Sequence, residues 1–178
     1  MEDYGKHLVE RLVAQRRLKR GRAAEVLAHA ANEQVSPEEV LVANKLIDRA
    51  AILETKAAMF GVAAVDLDAT PPDHAIVRVI PQAMAVRYHA ICIGRHGDDG
   101  ILVAMADPTD AFAKDYIQMR TGFSVESRVA YMGDIRKLQE EAYLGAVPAG
   151  TAPPAVRERV AQEVLRNRVL PATPRPPV

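Results

Sequence analysis

Apolar residues recur at helical spacing through the first sixty positions of the chain. Leu8, Leu12 and Val13 share one helical face, and so do Ala23, Val26, Leu27 and Ala30. Ser36-Pro37-Glu38-Glu39 marks a helix start. Ser36 can accept from free backbone amides, Pro37 suits the first helical position, and Glu39 completes a capping box. Ile52, Leu53, Ala57 and Phe60 carry the period on to Gly61, which predicts a stop there. An internal repeat runs through this region at an offset of 29 residues: Glu10-Arg11-Leu12-Val13-Ala14 matches Glu39-Val40-Leu41-Val42-Ala43. Each copy predicts one helical hairpin that cannot bury its apolar stripe alone. Two copies packed through Leu12, Leu18, Leu27, Leu41, Ile47 and Leu53 can.

The pattern then changes to mixed periods. Ala64–Leu67 reads as a short strand, Pro71-Pro72-Asp73 as the start of a brief helix, and Pro81 as the opening of another through Tyr88. Ala90–Gly94 and Ile101–Ala106 are apolar strands, joined by a hairpin turn over Arg95–Gly100. A helix is predicted over about residues 111–120, ended by Thr121-Gly122, then a strand over Ser124–Tyr131 and an amphipathic helix over Asp134–Leu144 stopped by Gly145. Beyond Ala146 the chain is rich in Pro, Ala and Arg. Val156, Val160 and Val164 predict a short helix between Pro154 and Arg168, followed by an extended Pro-rich linker.

These patterns predict an α+β fold: an N-terminal helical subdomain of two tandem motifs, packed on a small α/β subdomain with a three- or four-stranded sheet. The expected organisation is a helical part over residues 1–60, a mixed part over 61–145, and a linker over 146–178. A linker at the end implies that the domain is a piece of something longer.

Composition narrows the function. The 178 residues contain 23 basic and 23 acidic side chains, so no whole-protein positive field is available to grip nucleic acid. The single cysteine, Cys92, excludes an internal disulfide and a multi-cysteine metal site. The N-terminus is charged from Glu2, and no apolar run approaches the ~18 residues of a membrane span. The expectation is a cytoplasmic chain without a direct membrane span.

Catalytic signatures are lacking. There is no phosphate-binding loop, no G-x-G-x-x-G and no G-x-S-x-G. The five histidines are scattered without metal-ligand spacing. His89 and Cys92 lie three apart at the start of one strand and point to opposite faces, which favours a surface imidazole and a core thiol over a nucleophile pair. Asp107 and Asp110, a candidate carboxylate pair just before a helix, favour turn and cap roles. The one patch with a sign is Arg11, Arg16, Arg17, Lys19, Arg20 and Arg22, twelve residues without an acid. It reads as a solvated helix–turn face or a loose anion surface. Gly21 interrupts it, and no aromatic residue lies nearby to stack on a base.

The tandem helical motifs, Val65-Asp66-Leu67, the Pro81 helix, the hairpin ending Val103-Ala104-Met105-Ala106-Asp107-Pro108-Thr109-Asp110, and the Thr121-Gly122 helix end together carry a resemblance. Over about residues 5–145 they resemble the N-terminal domain of type II secretion and type IV pilus assembly ATPases, the MshE N-terminal domain. The resemblance implies a non-catalytic regulatory and docking domain. It would join an attached motor to a membrane-platform or other protein partner, at the inner face of the membrane through that partner. The same domain precedes some membrane glycosyltransferases.

Many members bind cyclic di-GMP through two 24-residue motifs with a five-residue spacer, beginning Arg-Leu-Gly, with Gly at the tenth place and a final Gln. The resemblance places these motifs at residues 7–30 and 36–59. His7, Val9, Arg16 and Ala30 stand at the Arg, Gly, Gly and Gln places of the first copy, and Ser36, Glu38, Lys45 and Met59 in the second. Loss of an Arg–phosphate contact typically forfeits ~1.5–3 kcal/mol, side chains at glycine places obstruct close approach, and Glu38 adds a repelling charge. No cofactor is therefore expected. A sensor of cyclic di-GMP is the alternative, with weak anion candidates at His7, Arg11, Arg16, Arg17, Lys45 and Asp107.

Overall fold

The computed structural model describes residues 2–143; the expected helix stop at Gly145, the helix between Pro154 and Arg168 and the Pro-rich linker lie outside the described residues. The described residues form one compact unit.

Four helices come first: α1 (Glu2–Ala14), α2 (Arg20–Glu33), α3 (Pro37–Ala43) and α4 (Arg49–Phe60). Ser36 and Glu39 form the expected capping box, Asp48 caps α4, and Gly61 ends it with φ 66°. The two hairpins obey the 29-residue offset in detail. At the end of α1 the amides of Arg17 and Leu18 both donate to Leu12 O, at 2.9 and 3.2 Å. At the end of α3 the amides of Leu46 and Ile47 donate to Leu41 O at 2.9 and 3.3 Å. Arg16 and Lys45, the residues at the glycine places of the motif, have φ of 58° and 54°. Glycine suits these places because the helix terminus needs a left-handed residue there, which costs a side chain ~1 kcal/mol. Arg16→Gly or Lys45→Gly should therefore raise stability by about 0.5–1 kcal/mol, read as a higher urea midpoint. A fall in the midpoint would show that the long side chains pack usefully.

Leu8, Leu12, Leu18, Leu41, Ile47, Ile52 and Leu53 are buried in one cluster, with Leu27 partly buried against it and Tyr131 reaching in from the sheet side. Gly21 lies inside α2 and does not interrupt the basic run; the break is the turn between α1 and α2.

The mixed part contains α5 (His74–Val77), α6 (Gln82–Tyr88), β1 (Ala90–His96), β2 (Gly100–Met105), α7 (Ala111–Thr121), β3 (Ser124–Val129) and α8 (Met132–Tyr143). The sheet has the order β1-β2-β3, with β1 and β2 antiparallel and β2 and β3 parallel, α7 making the crossover. The hairpin turn is shorter than expected, because pairing extends to His96 opposite Gly100. Gly100 is required there: a Cβ would lie 2.2 Å from His96 O.

The expected strand over Ala64–Leu67 reduces to a bridge between Ala64 and Val129. Asp66 accepts from the amides of Asp68 and Ala69, which bends the chain away from the sheet. β3 stops at Val129, and α8 begins at Met132, two residues before the expected Asp134. His89 is not in a strand; it is the left-handed cap of α6, with φ 44°. Among the described residues no helix is long and apolar enough to cross a membrane.

Candidate functional site at the helix–sheet junction

The helical motifs meet the sheet along the chain crossing from β3 to α8, and a buried ion pair sits there. Lys56 Nζ on α4 lies 2.8 Å from the Glu38 carboxylate on α3, and both side chains are fully buried. The ammonium also donates to Ala130 O at 2.7 Å, the Glu38 carboxylate accepts from the Met132 amide, and the charge stands 5.3 Å above the Tyr4 ring. Glu38 is therefore turned inward and neutralised. The repelling charge expected at the third motif place is not presented to a ligand. Val9, at the same place in the first copy, is likewise buried.

Two further ion pairs tie the helices to α8: Arg136 with Glu39 at 3.3 Å, and Arg49 with Asp134, the Arg49 guanidinium standing 5.4 Å over the Tyr131 ring. Burial raises the Asp134 carboxyl above the ordinary range, while Arg49 pulls it back down.

Beside this clasp lie two cavities of about 590 and 90 Å³ that share Tyr4 and His89 in their walls. Tyr4 Oη and His89 Nδ1 are buried there without a hydrogen-bond partner. Burial, then the carboxylates of Glu38, Glu39 and Asp107, raise the Tyr4 phenol well above its usual range, so it stays a donor. Burial, then Arg136, hold the His89 imidazole below its ordinary value, which keeps it neutral at pH 7. Lys6 and Arg136 border the larger cavity and Arg87 the smaller. The chemistry is that of a small polar or anionic group accepting from Tyr4.

Of the sequence candidates, Asp107 lines the smaller cavity. Its carboxylate already accepts from the Thr109 amide at 2.9 Å, and Asp110 caps α7 through the Ala113 amide. His7, Arg11, Arg16 and Lys45 are exposed on α1 and on the two helix turns, while Arg17 pairs with Glu54 at 2.7 Å. The structure does not gather them into one site. Ser36 is committed to its cap, and Ala30 brings no polar group to the larger cavity. Cys92 is buried, its thiol pushed up to about 11 by burial.

A second feature faces solvent. Phe112, Tyr116 and Met119 of α7 are 86, 41 and 68 % exposed, and Val86 at the end of α6 is 50 % exposed. The Tyr88 and Tyr116 rings meet edge to face at 6.2 Å, so the end of α6 touches the α7 stripe through Tyr88. The opposite face of α7 is already buried through Ala113 and Ile117.

A family model described as the MshEN domain matches residues 60–149. The type IV pilus assembly ATPase PilB of Myxococcus xanthus (strain DK1622) is 27 % identical over 124 residues, 67 % of this chain and 22 % of that protein. The chain thus spans about a fifth of the length of this curated relative. Two solved structures share the fold. The structure of MshE with cdg superposes with a TM-score of 0.54 at 23 % identity, over 76 % of this chain and 98 % of that one. The N-terminal domain of XpsE gives 0.52 at 24 %, over 75 % and 91 %. The α+β architecture with its tandem helical motifs is the one those proteins have. With half of its length matched by the family model, and with the same fold, this chain belongs to the MshEN domain family, the non-catalytic N-terminal domain of secretion and pilus ATPases.

Proposed function

We propose that the chain is a regulatory and docking domain that joins an attached ATPase motor to a protein partner, and through that partner to the cytoplasmic face of a membrane platform. The observation that carries this reading is the apolar stripe of Phe112, Tyr116 and Met119, kept in solvent on a helix whose core-facing side is complete. Contiguous exposed apolar surface of this kind marks an interaction site. Phe112→Asp with Met119→Asp in the full-length parent protein should abolish partner-dependent assembly. Thermal stability should change little, because both side chains are exposed. Assembly unaffected by the double substitution would refute docking through this face.

A second reading, cyclic di-GMP sensing that controls an attached ATPase or glycosyltransferase, draws support from the 29-residue repeat geometry and the unpartnered Tyr4 and His89. The residues present do not fit the dinucleotide in the motif's mode: Glu38 and Val9 are buried, and Ala30 and Ser36 offer no free ligand group. Calorimetry at ~150 mM salt should show no micromolar binding. Tight, salt-insensitive binding of one dinucleotide per chain would establish the sensor instead.

A further inference from the structure

We propose that the α7 face seats a single amphipathic helix of a partner protein, whose apolar positions are bordered by carboxylates along one edge. The inference rests on the docking reading above and adds the chemistry of the partner. Phe112, Tyr116 and Met119 stand at i, i+4 and i+7, the spacing at which one helix presents anchors to another. They expose apolar area on the order of 400 Å², about half of the ~800 Å² per partner of a standard stable interface. That is too little to hold two copies of this chain together and is matched to one helix.

The edges of the patch differ in charge. At 3.6 residues per turn Arg120 borders the stripe on one side and Asp115 on the other. At the α6 end the Arg87 guanidinium stands 5.5 Å over the ring of Tyr88, the residue that packs on Tyr116. Among the described residues neither Arg87 nor Arg120 forms an ion pair, and both are exposed. Aromatic and arginine side chains together are the residues from which interface anchors are built. Two unpaired guanidiniums beside an apolar stripe select carboxylates on the facing edge of the partner. Asp115 disfavours an anionic lipid surface, which would have to accept a carboxylate beside the inserted side chains.

The test uses the 178-residue chain and two synthetic helical peptides of about 18 residues, identical in their Leu face, one with Glu and one with Lys along a single edge. Fluorescence anisotropy should give the Glu peptide an affinity at least about tenfold higher than the Lys peptide. Phe112→Ser with Met119→Ser should remove that binding. Arg87→Glu with Arg120→Glu should transfer the preference to the Lys peptide, with circular dichroism unchanged. Equal binding of the two peptides, both lost on Phe112→Ser with Met119→Ser, would overturn the acidic partner and leave docking through α7 standing. Failure of both peptides to bind, binding that ignores Phe112 and Met119, self-association lost on the same double substitution, or a preference for phosphatidylglycerol vesicles would overturn the proposal.

Discussion

Glu38→Ala is expected to destabilise the domain by about 3–5 kcal/mol, the cost of leaving a buried charge without its partner. Lys56 Nζ would keep its bond to Ala130 O but lose its counter-ion, in a position fully shielded from water. The Met132 amide would lose its acceptor at the start of α8 as well. The internal repeat supplies the control. Residues 38 and 56 correspond, at the 29-residue offset, to Val9 and Leu27, two apolar residues of the helical core cluster. Glu38→Val with Lys56→Leu should therefore recover much of the loss, since a well-packed apolar pair is often as stable as a buried ion pair. Amide exchange at Met132 should remain faster than in the parent, because the carboxylate that holds that amide is gone. Urea denaturation of Glu38→Val, Lys56→Leu and the double variant reads the cycle directly. A Glu38→Ala cost below ~1 kcal/mol would show that Lys56 reaches water in the variant and that the pair does not clamp the junction.

Leu41→Ala is expected to cost about 2–5 kcal/mol, by lost transfer free energy and the cavity left behind. Leu41 is fully buried, and its carbonyl accepts both amides of the turn that closes the α3–α4 hairpin. Its repeat mate Leu12 is equally buried and holds the equivalent turn of α1–α2, so Leu12→Ala should cost a similar amount. The comparison tests the repeat itself. A Leu41→Ala loss below about half a kcal/mol in equilibrium unfolding would mean that the motifs do not share a core.

Elements whose causes lie within a few residues were legible in the chain. The Ser36–Glu39 capping box, the Asp110 cap and the Gly122 stop of α7, and the 29-residue repeat all rest on short-range geometry. Alternation predicts a strand at Ala64–Leu67 that does not form, because Asp66 captures the neighbouring amides, a competition that alternation does not register. His89 lies one residue before β1, and that single place makes it a left-handed helix cap instead of a strand position. The opposite charges of Glu38 and Lys56 at two places where the first copy is apolar were the available signal for the clasp. Taken singly, each residue had the look of an exposed helical side chain.

The sequence by itself determined the helical hairpins, their common register and the β-hairpin, because period, capping and turn chemistry act between near neighbours. The tertiary structure alone decided which charges are interior. Glu38 meets Lys56 across 18 positions and the Met132 amide across 94, and Lys56 meets Ala130 across 74. The same holds for the cavity walls that Tyr4 and His89 share and for the apolar stripe of α7 that no other described element covers. Burial depends on which elements pack together, and a local pattern that marks two apolar faces on one helix does not say which of them the fold will use.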